Sequence, residues 1–169
     1  SCRFSKIIPP NIIKKFSNGI INLHGGLLPE CGGLFSSCHS ILLKHKKAGG
    51  TLHFIDEFFD TGNIIKREEF EIKDTDTSIS LFQKTQLALL NAYYKEIDSI
   101  ILEKNDSIPQ QKFISEGYKK NYFDKDSLEG KREVKKYFTK EKVSRIVRAF
   151  DHPNHEPAYK IIDGEKQYI

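Results

Sequence analysis

Asn22-Leu23-His24-Gly25-Gly26-Leu27-Leu28-Pro29, followed by Thr51-Leu52-His53-Phe54-Ile55 and Asp56-Glu57-Phe58-Phe59-Asp60-Thr61-Gly62, is the stretch that decides how this chain is read. The apolar run Ile20 to Leu23 predicts a strand, and residues two apart on a strand share a face, so Asn22 and His24 point the same way. Gly25-Gly26 then lets the backbone turn sharply. Thr51 to Ile55 reads as the next strand, and the loop after it ends in Asp60-Thr61-Gly62. Two strands finishing side by side would bring Asp60 to His24, setting an amide, an imidazole and a carboxylate around one point. Such a trio can move a proton and hold a developing negative charge. Taken alone, it equally fits a strand-end histidine in an ordinary hydrogen bond, a turn-capping asparagine, and an aspartate accepting backbone N–H groups.

Outward from this stretch, Pro9-Pro10-Asn11 opens a short helix, Ile12 to Phe16, stopped by Ser17-Asn18-Gly19. A helix from Ser36 to about Lys46 is closed by Gly49-Gly50, and Ile64 to Ile72 alternates like a half-exposed strand. Asp76-Thr77 caps a long helix to about Lys104, with Ile79, Leu81, Phe82, Leu87, Leu90, Tyr94, Ile97 and Ile101 along one broad apolar stripe. Gln110 to Leu128 reads as irregular; its Tyr118, Tyr122 and Phe123 serve either a substrate or as anchors of the loop. A last helix begins at Thr139 with Val143, Ile146 and Val147 inward, and Tyr159 to Ile169 reads as a hairpin turning at Asp163-Gly164.

Composition excludes several classes. The 169 residues are 38% hydrophobic and 30% charged, which suits one core with a very polar surface. The net charge of +4 comes from scattered lysines among nearly as many acids, so these are read as solvated faces and not as a nucleic-acid groove. No apolar run approaches the roughly twenty residues that span a membrane, and no stretch reads as a signal peptide. Cys2, Cys31 and Cys38 are odd in number and lack a Cys-x-x-Cys pair, which points to reduced thiols in a cytoplasmic protein. Cys31, on the turn after Pro29, is read as filler over nucleophile, and His39, His45 and His53 are spaced too irregularly for a metal site.

The order and spacing of the short strings resemble the folate-dependent formyltransferase family. The matching residues are Asn22 and His24, Leu27-Leu28-Pro29, Gly49-Gly50-Thr51 and Asp60-Thr61-Gly62. Weaker matches follow at Asp76 to Leu81 and at Ile146-Val147-Arg148-Ala149-Phe150-Asp151-His152-Pro153. The resemblance implies an α/β fold: a partial Rossmann-like domain, a mixed sheet with flanking helices, plus a small C-terminal helix and β-hairpin. Residues 1–105 would be the C-terminal half of the catalytic domain and 106–169 an extension.

By the same resemblance, Asn22, His24 and Asp60 would be catalytic, transferring a formyl group from 10-formyltetrahydrofolate to an amine, with Asp60 raising the His24 pKa. Asp56, Glu57, Phe58 and Phe59 would bind the folate, and Gly25, Gly26, Tyr122 and Arg148 would serve the acceptor. No metal is implied. The tail is most similar to sugar N-formyltransferases, which act on nucleotide-linked amino sugars, and this implies a cytoplasmic enzyme of lipopolysaccharide biosynthesis and leaves room for a homodimer. A methionyl-tRNA formyltransferase-like enzyme and a truncated, inactive module are the alternatives.

Three departures carry their own expectations. Glu30-Cys31-Gly32-Gly33 stands where the family commonly has an aromatic, then Arg or Lys, then Gly, so the basic side chain that would stabilise either the loop itself or an acidic substrate is missing. Gly50 replaces a β-branched residue and predicts a bulge or loosened strand. Only about twenty residues precede the Asn22 strand where the family has a parallel βα half, and Ser1 to Ser5 would be the tail of a strand from it; with no Met in the sequence, the chain is expected to be part of a longer protein or the product of a truncated gene.

Overall fold

The computed structural model describes residues 1–2 and 6–169. Helix α1 (Pro10–Ile13) begins two residues before the predicted Ile12, because Pro10 takes the first-turn position where its missing N–H costs nothing. Strand β1 (Ile21–His24) leads to the two-residue β2 (Gly32–Gly33), helix α2 (Ser36–Leu42), and strands β3 (Lys47–Phe54) and β4 (Ile64–Glu71). Then come α3 (Ser78–Ile101), α4 (Gln110–Ser115), β5 (Tyr122–Phe123), α5 (Lys140–Phe150), β6 (Tyr159–Ile162) and β7 (Glu165–Tyr168). The main sheet runs β1-β3-β4, both pairings antiparallel, and Cys2 bridges Leu23 in parallel at its β1 edge. That parallel contact makes the sheet mixed; the rest of the predicted strand tail, Arg3 to Ser5, lies outside the described residues.

Gly49-Gly50 does not close α2. The helix ends at Leu42, Lys44 turns the chain with φ of 60°, and both glycines lie inside β3. A Cβ on Gly50 would sit 2.5 Å from Leu89 Cγ on α3, and one on Gly49 only 2.1 Å from the Glu68 carbonyl oxygen. Gly50 therefore lets a helix close on the sheet, and Gly49 makes room for the backbone of β4. The ladder is irregular at Leu52/His53, not at Gly50, so the expected loosening there is absent.

This close approach also overturns the predicted stripe of α3. Its buried face carries Leu81, Thr85, Ala88, Leu89 and Ala92, small residues for the most part, whereas Leu87, Leu90, Tyr94 and Ile101 are exposed. Periodicity found apolar residues at helical spacing but could not tell which face meets a sheet thinned at Gly50. The N-terminus follows the expectation: Thr77 accepts the Ser80 N–H at 3.4 Å while Ser80 accepts the Thr77 N–H at 3.0 Å.

The main core joins Cys38 and Ile41 of α2 and Leu81 of α3 to Leu128, Ile146 and Phe150, so residues on both sides of position 105 share it. Phe150 is fully buried, and truncating it to Ala would cost about 3–5 kcal/mol. Helix α5 starts as predicted, with Thr139 Oγ1 accepting the Lys142 N–H at 3.2 Å. The hairpin turns where expected, on two left-handed residues, Asp163 (φ 52°) and Gly164 (φ 84°). The segment read as irregular contains α4, and β5 paired in parallel with β2. That pairing needs Gly33, whose Cβ would lie 2.1 Å from the Phe123 carbonyl oxygen, a tertiary demand without local signature.

Candidate active site

The antiparallel register of β1 and β3 sets Asn22 opposite His53, and His24 follows on the same face. The loop after β3 returns Asp60 to these strands. Asp60 Oδ2 lies 3.5 Å from His24 Nδ1, and Oδ1 lies 3.6 Å from His53 Nε2. Asn22 Nδ2 stands 3.3 Å from the same His53 nitrogen. The predicted trio is thus together, and His53 joins it. Spacing alone treated His53 as one of several scattered histidines; the signal that could have found it was strand register, since only antiparallel pairing sets it across from Asn22.

Hydrogen bonds decide where the protons are. His24 Nε2 is 2.7 Å from the Cys31 carbonyl, which can only accept, so Nε2 carries the hydrogen and Nδ1 turns to Asp60. His53 Nδ1 likewise donates to the Phe54 carbonyl at 2.7 Å, leaving Nε2 to accept from the Asn22 amide. Burial holds the His24 pKa below its ordinary value, and the pull of Asp60 offsets this only in part, which corrects the expectation of a raised value. Burial also pushes Asp60 upward, but His53 and His24, which act as donor and cation once they are protonated, and the Gly33 N–H at 2.8 Å outweigh it and carry the carboxyl lower. The centre is therefore a carboxylate beside a neutral imidazole whose free nitrogen faces it. Nδ1 can take a proton and become the cation that Asp60 stabilises; it can offer an N–H to a ligand only in that form.

A cleft opens on this centre, lined by Asn22, His53 and Asp60 and by Ile7, Asp56 and Phe58. Asp56 shapes the loop, accepting the Thr61 hydroxyl at 2.6 Å and the Phe58 N–H at 3.1 Å. Glu57, Phe58 and Phe59 are exposed, and Tyr122 stands 6.0 Å from Phe59, ring centre to ring centre. Phe123 stacks on His39 at 3.7 Å and Tyr118 lies 4.9 Å from the Arg67 guanidinium, so only Tyr122 of the three aromatics reaches the cleft side. Gly26 lies behind the His24 ring, where a Cβ would meet Nε2 at 3.0 Å and the Cys31 carbonyl oxygen at 2.7 Å, whereas a Cβ on Gly25 would face Thr85 at 3.8 Å. Arg148 donates to the Asp76 carbonyl at 2.7 Å, at the α3–α5 junction.

The missing basic residue of the Glu30 loop is supplied from β4. Arg67 grips both oxygens of Glu30, at 2.8 and 3.1 Å, and the Leu28 carbonyl at 2.9 Å. Cys31 is buried beside Ser40 and His45, and burial pushes its thiol up to about 11, which removes thiolate chemistry at neutral pH. Among the described residues no three His, Cys, Asp or Glu side chains converge as a metal site, and no helix is long and apolar enough to cross a membrane.

Residues 2–97 match the family model described as formyl transferase. Over 169 residues the chain is 28% identical to a GDP-perosamine N-formyltransferase of Brucella melitensis, covering 100% of this chain and 62% of that protein. Among solved structures, a 4-N formyltransferase from Francisella tularensis superposes with a TM-score of 0.86 at 27% identity, over 99% of this chain and 67% of that one. An N-formyltransferase from Helicobacter canadensis, solved with folinic acid and dTDP-3-aminofucose, gives 0.81 at 26% identity, over 96% and 57%.

Proposed function

The chain belongs to the formyl transferase family, and on that premise we propose that it contributes the catalytic centre of an enzyme moving a formyl group from 10-formyltetrahydrofolate to the amino group of a nucleotide-linked amino sugar. The observation that carries the reading is the meeting of Asn22, His24, His53 and Asp60, of which Asn22, His53 and Asp60 line one cleft and His24 stands behind Asp60. The residues at the cleft mouth fit a folate: exposed Phe58 and Phe59 offer faces to a flat heterocycle, and the turn from Asp56 to Asp60 offers backbone groups to its polar edge. When bound there, the folate would supply the formyl carbon.

This chain's residues then divide the work. Asn22 directs one amide hydrogen to His53 and keeps the second for the formyl oxygen, which gains negative charge as the amine adds. His24 Nδ1 takes the proton shed by the attacking amine, and Asp60 holds the resulting imidazolium. The same proton goes to the departing nitrogen as the tetrahedral centre collapses, so the site ends as it began. Gly25, Gly26, Tyr122 and Arg148 are assigned to the acceptor side, residues 1–105 to the catalytic half and 106–169 to its extension.

Support for a sugar acceptor comes from relatives named for amino-sugar formylation that align along nearly the whole chain. On this reading the protein works in the cytoplasm on precursors of lipopolysaccharide, with a homodimer as its assembly. The test is formyl transfer to a panel of nucleotide-linked 3-amino and 4-amino sugars, assayed by mass spectrometry with the full-length gene product and its His24→Ala and Asp60→Ala variants. Transfer to one sugar, falling by several orders of magnitude in both variants, is the expected result. Transfer to methionyl-tRNA alone, or undiminished transfer in both variants, would overturn it.

A further inference from the structure

We propose that Gln110 is a positioning residue for the proton-handling pair: its amide clamps the Asp60-Thr61-Gly62 turn so that the Asp60 carboxylate stays on His24. The inference rests on the function proposed above only where it speaks of turnover. Gln110 is 6% exposed and opens α4, fifty positions along the chain from Asp60. Its Nε2 donates to two carbonyls of the turn, Asp60 at 2.8 Å and Gly62 at 3.0 Å.

The turn needs such a clamp. Asp60 has φ of 52°, a left-handed conformation that an L residue other than glycine adopts only when its surroundings insist. On one side Gly62 is pressed against β3, where a Cβ would lie 1.9 Å from the Phe54 carbonyl oxygen. Gln110 holds the other side, and it is itself fixed, because Ile108, two residues earlier, exchanges hydrogen bonds of 2.8 and 2.7 Å with Ile64 of β4. Released, the turn would relax toward ordinary dihedrals and carry the carboxylate from Gly33, His24 and His53 together.

The amide also leaves its Oε1 buried without a hydrogen-bond partner among the described residues. A side chain kept for packing alone would be better served by leucine, which has no oxygen to desolvate. The two donated hydrogen bonds, not the burial, account for the amide.

The test reads His24 directly. Its imidazole is faced by the Asp60 carboxylate and the His53 ring, and the Cys31 carbonyl takes its other nitrogen. An NMR titration of the His24 ring carbon is run on the wild type, Asp60→Asn, Gln110→Leu and the double variant. Asp60→Asn removes the charge that favours the imidazolium and lowers the midpoint; Gln110→Leu should lower it in the same direction, with no further fall in the double variant. Gln110→Met, which keeps the length of the side chain and carries no donor, repeats the comparison where the leucine variant folds poorly.

In the formyl-transfer assay both Gln110 variants should lose about ten- to a hundredfold in kcat with KM for the formyl donor little changed, the scale of a misplaced catalytic group. An unmoved His24 midpoint in both Gln110 variants, beside a clear shift in Asp60→Asn, would overturn the proposal and leave Gln110 a packing residue. A wild type that transfers no formyl group would instead sink the functional reading, while the titration would still judge the clamp.

Discussion

His53 Nε2 faces Asp60 Oδ1 at 3.6 Å from within the sheet, so a second imidazole stands beside the carboxylate that serves His24. His53 is fully buried, its other nitrogen is tied to its own strand, and its free nitrogen accepts from Asn22 beside Asp60. One ring thereby orients one of the three predicted catalytic groups and lies next to a second.

Replacing His53 by Ala should therefore lower formyl transfer by about ten- to a hundredfold, the usual cost of losing a supporting hydrogen-bond partner. Asp60 would also lose a neighbour that lowers its pKa whenever it carries a proton, so the acid limb of the pH–rate profile should move to higher pH. Steady-state kinetics across pH on wild type and variant check both. Unchanged turnover and an unmoved acid limb would reduce His53 to packing.

Acid should weaken the fold through buried histidines. Burial, helped by the charges of Lys131 and His45, lowers His39 from 6.5 to about 4 as it stacks on Phe123. Between those values the unfolded chain binds the proton and the folded chain resists it, so stability falls as pH drops from about 6.5 toward 4. Urea unfolding at several pH values should show this decline, and His39→Phe, which keeps a ring against Phe123, should flatten it. An equally steep decline in the variant would place the titration elsewhere.

Gly50→Ala should destabilise by about 1–3 kcal/mol, since its Cβ meets Leu89 in a helix-to-sheet contact that has no slack. Leu89→Ala introduced alongside should cost less in the Gly50→Ala background than in the wild type. The measurement is a double-mutant cycle by urea unfolding, and strict additivity would refute the close contact.

Thiol reactivity should be confined to Cys2, which is exposed, whereas burial pushes Cys31 to about 11 and Cys38 to about 12. Iodoacetamide at pH 8 should modify Cys2 in the native protein and all three thiols in urea, read by peptide mass spectrometry. Prompt native modification of Cys31 would mean that the loop after Pro29 opens readily.

Features set by neighbouring residues were legible in the sequence. The Thr77 cap, the start of α5, the Asp163-Gly164 hairpin turn and the strand carrying Asn22 and His24 all follow from contacts within a few positions. Asn22, His24 and Asp60 were legible as one site through the family resemblance, alternation giving only the common face of Asn22 and His24. Tertiary structure alone decided the rest. His53 joined the site through strand register, Arg67 reached the Glu30 loop from another strand, and Gln110 closed on the Asp60 turn from another helix. The same limit reversed the reading of Gly49-Gly50 and of the α3 stripe: a glycine tells the chain that it may bend, but only a packed neighbour turns that freedom into room for close approach. Local periodicity carries the identity of each face; which face is buried, and which distant donor holds a strained turn, is a property of the assembled packing.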